Sequence, residues 1–396
     1  MNHYIIDYET LVNCTVFCAQ HYKNSDDLKV FVISNLRNDT YELVTFLKKN
    51  VFLKEFHISF NGLDFDSQIS EYIINHSAQI FINIDNPDYV SDLIYKRAQS
   101  LIDEDNYAKI PQNKLSIKQI DLYKLNHWDN PAKKSSLKWI QYSMDWYNIE
   151  EMPIHHTTRI ETQEQLDTII RYCINDVKST AKIYEFSKDQ IALRHSLTKT
   201  YGIDLFSASE PRISKTLFST LLSKKIGIGS FELNKLRTNR DRIYVKNIIL
   251  PYVKFKTLQF KSILDKFESL VIDTRNTKGG FKYSIKYKNV KTDFGLGGAH
   301  GASASGIYES KDGMIIMSSD VASFYPNLAI KNRWSPAHLP QEEFCDQYEW
   351  FYEERKKIPK KDPKNYVYKI ILNSTYGLSN DENSFLYDPE FTMRIK

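Results

Sequence analysis

The sequence predicts an α/β fold for its first half, on three observations. Short β-branched and aromatic runs recur, stretches of helical spacing come between them, and the alternation is close enough to build strands joined by crossover helices. "HYIIDYET", "NCTVFCAQ" and "LKVFVIS" are three successive strands. "DTYELVTFLKK" follows with helical spacing and "EFHISF" is a further strand. Helical patterns return in "VSDLIYKRAQSLI", "SLKWIQYSM" and "QEQLDTIIRYCINDVKSTAKIYEF". The first domain is expected to span 1–195.

The signal from 196 to about 290 is weaker. "EPRISKTLFSTLLSKK" has helical spacing. In "FKYSIKYKNVK", Phe281, Tyr283, Ile285 and Tyr287 alternate with lysines, which is strand periodicity. The lysine face suits either solvent or a phosphate backbone. "FGLGGAHGASASG" reads as a glycine-rich turn region, and "MIIMSSD" as a buried strand ending in Asp320. Two helices, at 341–358 and 364–377, flank the turn "PKKDP".

Composition narrows the class. A chain of 396 residues has room for two or three domains and more than one core. With 42% apolar and 26% charged residues it reads as a globular protein, not a disordered or fibrous one. A net charge of +4 is too small to identify a nucleic-acid partner, so such a claim must rest on local patches. Of the four cysteines, only Cys14 and Cys18 lie close in sequence, and no second pair completes a zinc site. Asp7 and Glu9 stand where a signal peptide would be apolar, and no run reaches membrane-spanning length. The expectation is a cytoplasmic protein with reduced, buried cysteines and no membrane partner.

Asp7 and Glu9 are two apart on a strand, so they share a face. Clustered carboxylates repel unless a cation lies between them, although a solvated pair on an edge strand is the ordinary alternative. "FNGLDFD" adds Asp66 just after a strand, and "YCINDV" places Tyr172 and Asp176 one helical turn apart. Asp7, Glu9, Asp66 and Asp176 together could hold two Mg²⁺ or Mn²⁺ ions about 4 Å apart for phosphodiester hydrolysis, with Tyr172 orienting the water.

These segments resemble the three exonuclease motifs of the DEDDy 3′–5′ proofreading exonucleases in family B DNA polymerases, of the phage-like kind. The resemblance implies an RNase H-like fold, metal binding by Asp7, Glu9, Asp66 and Asp176, and assistance from Tyr172. It also implies that Thr10, Asn61 and Phe65 touch the frayed 3′ end. Lys138, in "SSLKWI", falls where related enzymes keep a basic residue near the scissile phosphate, among several lysines.

"SSDVASFYPN" resembles motif A of the same polymerases, in the pattern D-x-x-x-x-Y-P. Asp320 would be a metal ligand, the Val321 carbonyl a second ligand, and Tyr325 a platform under the incoming sugar. "KIILNSTYG" matches motif B, K-x-x-x-N-S-x-Y-G. Lys369 and Asn373 share a helix face there, joined by Tyr376, and Lys369 would meet a triphosphate. Arg355 is the candidate for a second triphosphate contact. Gly297 and Gly298 lie where related enzymes carry a Gly-Gly turn near the template strand, and a plain tight turn explains them as well.

By this resemblance, 196–300 is a linker and the start of the palm, 301–340 is palm with motif A, and 341–396 is short two-helix fingers with motif B. The short stretch from Asp320 to Lys369 disfavours protein priming. The family's motif C, a Tyr-x-Asp-Thr-Asp hairpin, and its thumb are not found in the sequence. The expectation is a split or truncated DNA polymerase with a proofreading exonuclease. It would act on primer-template DNA, single-stranded 3′ ends and deoxynucleoside triphosphates, and would need a second chain carrying motif C to polymerise. A stand-alone exonuclease with a DNA-binding C-terminal region is the alternative.

Overall fold

The computed structural model describes residues 3–103, 109–275, 281–295 and 298–395. The chain divides into two units, Met1–Ser209 and Glu210–Lys396.

The first unit is a mixed α/β layer structure. Its elements are β1 (His3–Leu11), β2 (Cys14–His21), β3 (Leu28–Ile33), α1 (Thr40–Leu53), β4 (Phe56–Ser59), α2 (Asp66–Asn75), α3 (Ser77–Ile82), α4 (Pro87–Asp103), β5 (Lys118–Asp121), α5 (Leu122–Leu125), α6 (Leu137–Ser143), α7 (Gln163–Phe186) and α8 (Lys188–Tyr201). The sheet runs β3-β2-β1-β4-β5. β1, β2 and β3 pair antiparallel, while β4 and β5 join in parallel.

Strand alternation separates two cores. Ile5 and Leu11 of β1 pack with Leu166, Ile169, Cys173 and Val177, an i, i+3, i+4 stripe on α7. Tyr4, Ile6 and Tyr8 face the other way, onto Leu43, Ile69, Val90 and Ile94 of α1, α2 and α4. Both faces of the sheet are therefore covered, as its parallel part requires. α7 begins in a capping box: the Gln165 amide N–H donates to Thr162 Oγ1 at 3.3 Å, and the Thr162 amide N–H donates to Gln165 Oε1 at 3.2 Å.

The unit extends past the expected boundary at 195. Arg194, on α8, donates from Nε to the Ala208 carbonyl at 2.8 Å. Ser207 Oγ accepts from the Asp121 amide at 2.9 Å, and Phe206 meets the Phe56 ring edge-on at 4.8 Å. These contacts anchor the 205–208 segment to β4 and β5. The polar, four-residue β5 had no apolar run to announce it.

The second unit contains α9 (Glu210–Ile226), α10 (Ser230–Leu233), β6 (Arg242–Tyr244), α11 (Leu258–Ser269), β7 (Val271–Asp273), β8 (Lys282–Tyr287), β9 (Val290–Gly295), β10 (Gly298–Ala302), α12 (Phe324–Lys331), α13 (Gln341–Lys357), α14 (Pro363–Leu378) and α15 (Pro389–Ile395). Phe218 of α9 sits among Phe344, Tyr348 and Phe351 of α13 and Phe385, with centroids 5.3–6.0 Å away. Two expectations are corrected here. The glycine-rich stretch contributes strand residues, because Gly298–Ala302 pairs antiparallel with β9. "MIIMSSD" is not a buried strand: Met314 through Met317 are irregular and 61–80% exposed. An apolar run becomes a strand only when another strand offers hydrogen bonds, and the three-stranded sheet ends at Ala302.

Candidate metal centre

The site in the first unit begins where two parallel strands part. β4 pairs with β1 only as far as Ile5, so Asp7 and Glu9 lie on a continuation of β1 that pairs with β2 alone, opposite Cys18 and Val16. The Tyr8 amide there donates to Asp66 Oδ1 at 3.0 Å instead of to a strand. α7 crosses the same face and delivers Tyr172 and Asp176. Carboxylate oxygens of Asp7, Glu9 and Asp176 all lie within 4.8 Å of one another, the one such group among the described residues. Asp66 is buried at the start of α2, outside that group but close enough to act on it electrostatically.

Asp7, Glu9 and Asp66 resist ionisation. Burial, reinforced by Glu9, Asp66 and Asp176, holds the Asp7 carboxyl well above the ordinary carboxylate range. Burial, then Asp176 and Asp66, pushes Glu9 up to about 8, with Lys138 pulling the other way. Asp66 is raised to about 7 by burial, tempered by its own amide and that of Tyr8. Burial and then Asp176 keep the Tyr172 phenol protonated far above its usual range.

Lys138 is drawn into the cluster. Its Nζ donates to both oxygens of Asp176, at 2.8 and 2.9 Å, and lies 4.4 Å from the Tyr172 ring centroid. Gln141, one turn further along α6, donates to Asp176 Oδ1 at 2.9 Å. The Cys173 thiol lies 3.7 Å from Asp7 Oδ2. Gln141 and Cys173 were missed from the sequence, although spacing could have found both: one is three residues after Lys138, the other three before Asp176. All four cysteines are free and buried.

The loop after β4 is shaped by a further missed carboxylate. Asp121, at the end of β5, accepts from the amides of Asn61 and Leu63 at 3.1 and 3.0 Å and caps α5 through Tyr123 and Lys124. Burial raises it to about 6 despite those donors. Asn61 takes the left-handed conformation, φ 65°, which asparagine tolerates. Its Oδ1 is buried without a partner. Beside it a groove of about 710 Å³ is lined by Phe60, Asn61, Tyr123, Lys134, Ser135, Ser136, Leu137 and Trp139. Phe65 packs against the core on the α2 side, and Thr10 follows Glu9 on the opposite face of β1, buried.

The donor set fits the implied cations. Three clustered carboxylates, with no imidazole or thiolate among them, suit Mg²⁺ or Mn²⁺ over softer metals.

In the second unit, α14 presents Lys369, Asn373 and Gly377 along one exposed line. Tyr376 is half-buried, and its ring lies 5.0 Å from that of Tyr325 on α12. Arg355 reaches from α13 to Asn365 Oδ1 at 3.3 Å and to Ser323 Oγ at 3.5 Å. Asp320 and Val321 are exposed in the irregular segment before α12. No group of three ligands forms around Asp320 among the described residues. Gly298 opens β10 with φ 100°, a conformation that favours glycine, and Gly297 lies outside the described residues. Among the described residues, no helix is long and apolar enough to cross a membrane. Neither the family models nor the curated proteins compared with this chain include a match.

Proposed function

We propose that the chain is a divalent-cation-dependent 3′–5′ DNA exonuclease joined to the front part of a family B DNA polymerase. One observation carries the reading: Asp7, Glu9 and Asp176, from a strand and a crossing helix, converge within 4.8 Å beside Tyr172 and Lys138. The strand order β3-β2-β1-β4-β5, with its parallel step at β1-β4, supports an RNase H-like exonuclease. The adjoining groove, with aromatic rings, Lys134 and the orphan Asn61 carbonyl, suits the last nucleotides of a single strand.

Bound cations would supply positive charge against the phosphodiester and its leaving oxygen. Asp7, Glu9 and Asp176 would hold them, with Asp66 adding negative charge close by. Tyr172, kept protonated, donates a hydrogen bond and does not abstract a proton, so its role is to orient the attacking water. The Lys138 ammonium is placed to neutralise a phosphate oxygen once it leaves Asp176.

Lys369, Asn373 and the Tyr325–Tyr376 pair support a nucleotide-binding surface in the second unit. The isolated, exposed Asp320 supports the expectation that synthesis needs a second chain supplying motif C, and it equally favours the alternative of a stand-alone exonuclease. With Mg²⁺ or Mn²⁺ the protein should shorten 5′-labelled single-stranded DNA from its 3′ end, and Asp7→Ala should reduce this by at least about 10³-fold. Undiminished shortening by Asp7→Ala would refute the exonuclease assignment. Primer extension by the purified chain alone would refute the incomplete polymerase.

A further inference from the structure

We propose that Gln141 is a positioning residue for the metal centre, fixing the Asp176 carboxylate so that Lys138 is the partner an incoming cation displaces. The proposal rests on the metal-binding part of the reading above and deepens it.

The amide of Gln141 is fully buried. Nε2 spends both hydrogens on α7, one on Asp176 Oδ1 at 2.9 Å and one on Ser179 Oγ at 2.8 Å. Ser179 Oγ in turn donates to the Asp176 carbonyl at 3.0 Å. The orientation of the amide follows from its partners: Ser179 Oγ spends its proton on the Asp176 carbonyl and Asp176 Oδ1 already accepts from Lys138, so the NH₂ must face both oxygens. That leaves Gln141 Oε1 buried and without a partner.

An orphaned buried carbonyl argues against a role in stability. A methionine of similar volume would fill the space and leave no polar atom unpaired. Docking of this region on α7 also has other anchors, since Trp146 Nε1 donates to Asn175 Oδ1 at 3.0 Å and Asn175 Nδ2 to the Asn148 carbonyl at 3.1 Å. What Gln141 supplies, and methionine cannot, is a neutral donor held against one oxygen of Asp176. A neutral donor fixes the carboxylate without competing for its charge. Lys138 does compete, because its ammonium spans both oxygens on a flexible stem.

Two substitutions at Asp176's partners should therefore act in opposite directions on cation binding. Mn²⁺ binding to the full chain would be measured by electron paramagnetic resonance, alongside thermal unfolding in EDTA. Gln141→Met is expected to weaken Mn²⁺ binding about 10- to 100-fold, while its unfolding temperature in EDTA stays the same or rises. Lys138→Met is expected to tighten Mn²⁺ binding. Ser179→Ala, which removes the acceptor for the second amide hydrogen, should weaken binding in the same sense by less, and it serves if Gln141→Met does not fold. Mn²⁺ affinity within twofold of the parent in both Gln141→Met and Ser179→Ala would overturn the proposal. So would a fall in affinity matched by a fall in unfolding temperature, which is the mark of a purely structural residue. Failure of the parent to bind Mn²⁺ would overturn the metal centre itself. Binding without DNA hydrolysis would overturn the exonuclease and leave Gln141's role standing.

Discussion

His57 shows how one residue ties stability to pH in this protein. It lies on β4, fully buried, with centroids of the Phe17 and Phe46 rings 6.3 and 6.5 Å away and neither ring nitrogen hydrogen-bonded. Burial pulls its pKa down to about 3. The unfolded chain takes up a proton near pH 6.5, whereas the folded chain does so only near 3. The stability tied to a neutral His57 is therefore complete above about 6.5 and is lost as pH falls toward 3, by about 1.4 kcal/mol per pH unit. The carboxylates run the other way. Glu9 and Asp66, held up at about 8 and about 7, oppose folding most above those values, progressively less as pH falls through them, and no longer below their ordinary values of 4.5 and 3.8. The two trends separate by comparison with His57→Phe. Whatever its offset at pH 7.5, the stability of His57→Phe relative to the parent should grow below pH 6.5 with the slope above, as read from urea unfolding at pH 7.5 and 5.5. A constant difference would mean that His57 finds a proton acceptor or water in the fold.

At the scale of elements, the site depends on how β4 turns into α2. Gly62 sits in that turn, where an added Cβ would lie 1.9 Å from Ser59 Oγ and 2.6 Å from Ser59 Cβ. Ser59 is fully buried on β4 and cannot move aside as a surface side chain would. Gly62→Ala should cost about 1–3 kcal/mol and reduce hydrolysis, because the displaced turn carries Asp66. Ser59→Gly in the same chain should recover part of both, as measured by thermal unfolding and by DNA shortening. This packing was not legible in "FNGLDFD", although the motif itself was. What the sequence displayed were elements whose periodicity is self-sufficient: α7 has its stripe and its cap, and β1 its alternation, so Asp7, Glu9, Tyr172 and Asp176 could be placed on faces in advance. β5 carries too few apolar residues to announce a strand, and Asp121 at its end stayed hidden with it. Met314–Met317 had the right composition for a strand, but pairing is decided by a neighbour that local composition cannot display. Gln141 had legible spacing and no chemical signal, since a glutamine on a helix is ordinary until its partner is known.

At the scale of the whole molecule, the chain combines a core built for stability with a centre that works against it. In the first unit both faces of a five-stranded sheet are packed, and this supports a cluster of acids that folding forces together. Such a cluster is stable when a cation or protons neutralise it, so metal content and stability should be linked. Asp7→Asn separates the two contributions. It removes the ionisable group while keeping the shape of the side chain, and in EDTA at pH 8 it should unfold at a higher temperature than the parent, by about 2–4 °C for each kcal/mol that burying the carboxyl costs. Adding Mn²⁺ should then raise the parent more than the variant and narrow or reverse the order, because Asp7→Asn has also lost a ligand. The crossing of the two responses is the informative result. A destabilising carboxylate that becomes stabilising with a divalent cation is placed for binding that cation, whereas one that destabilises equally in EDTA and Mn²⁺ is only buried.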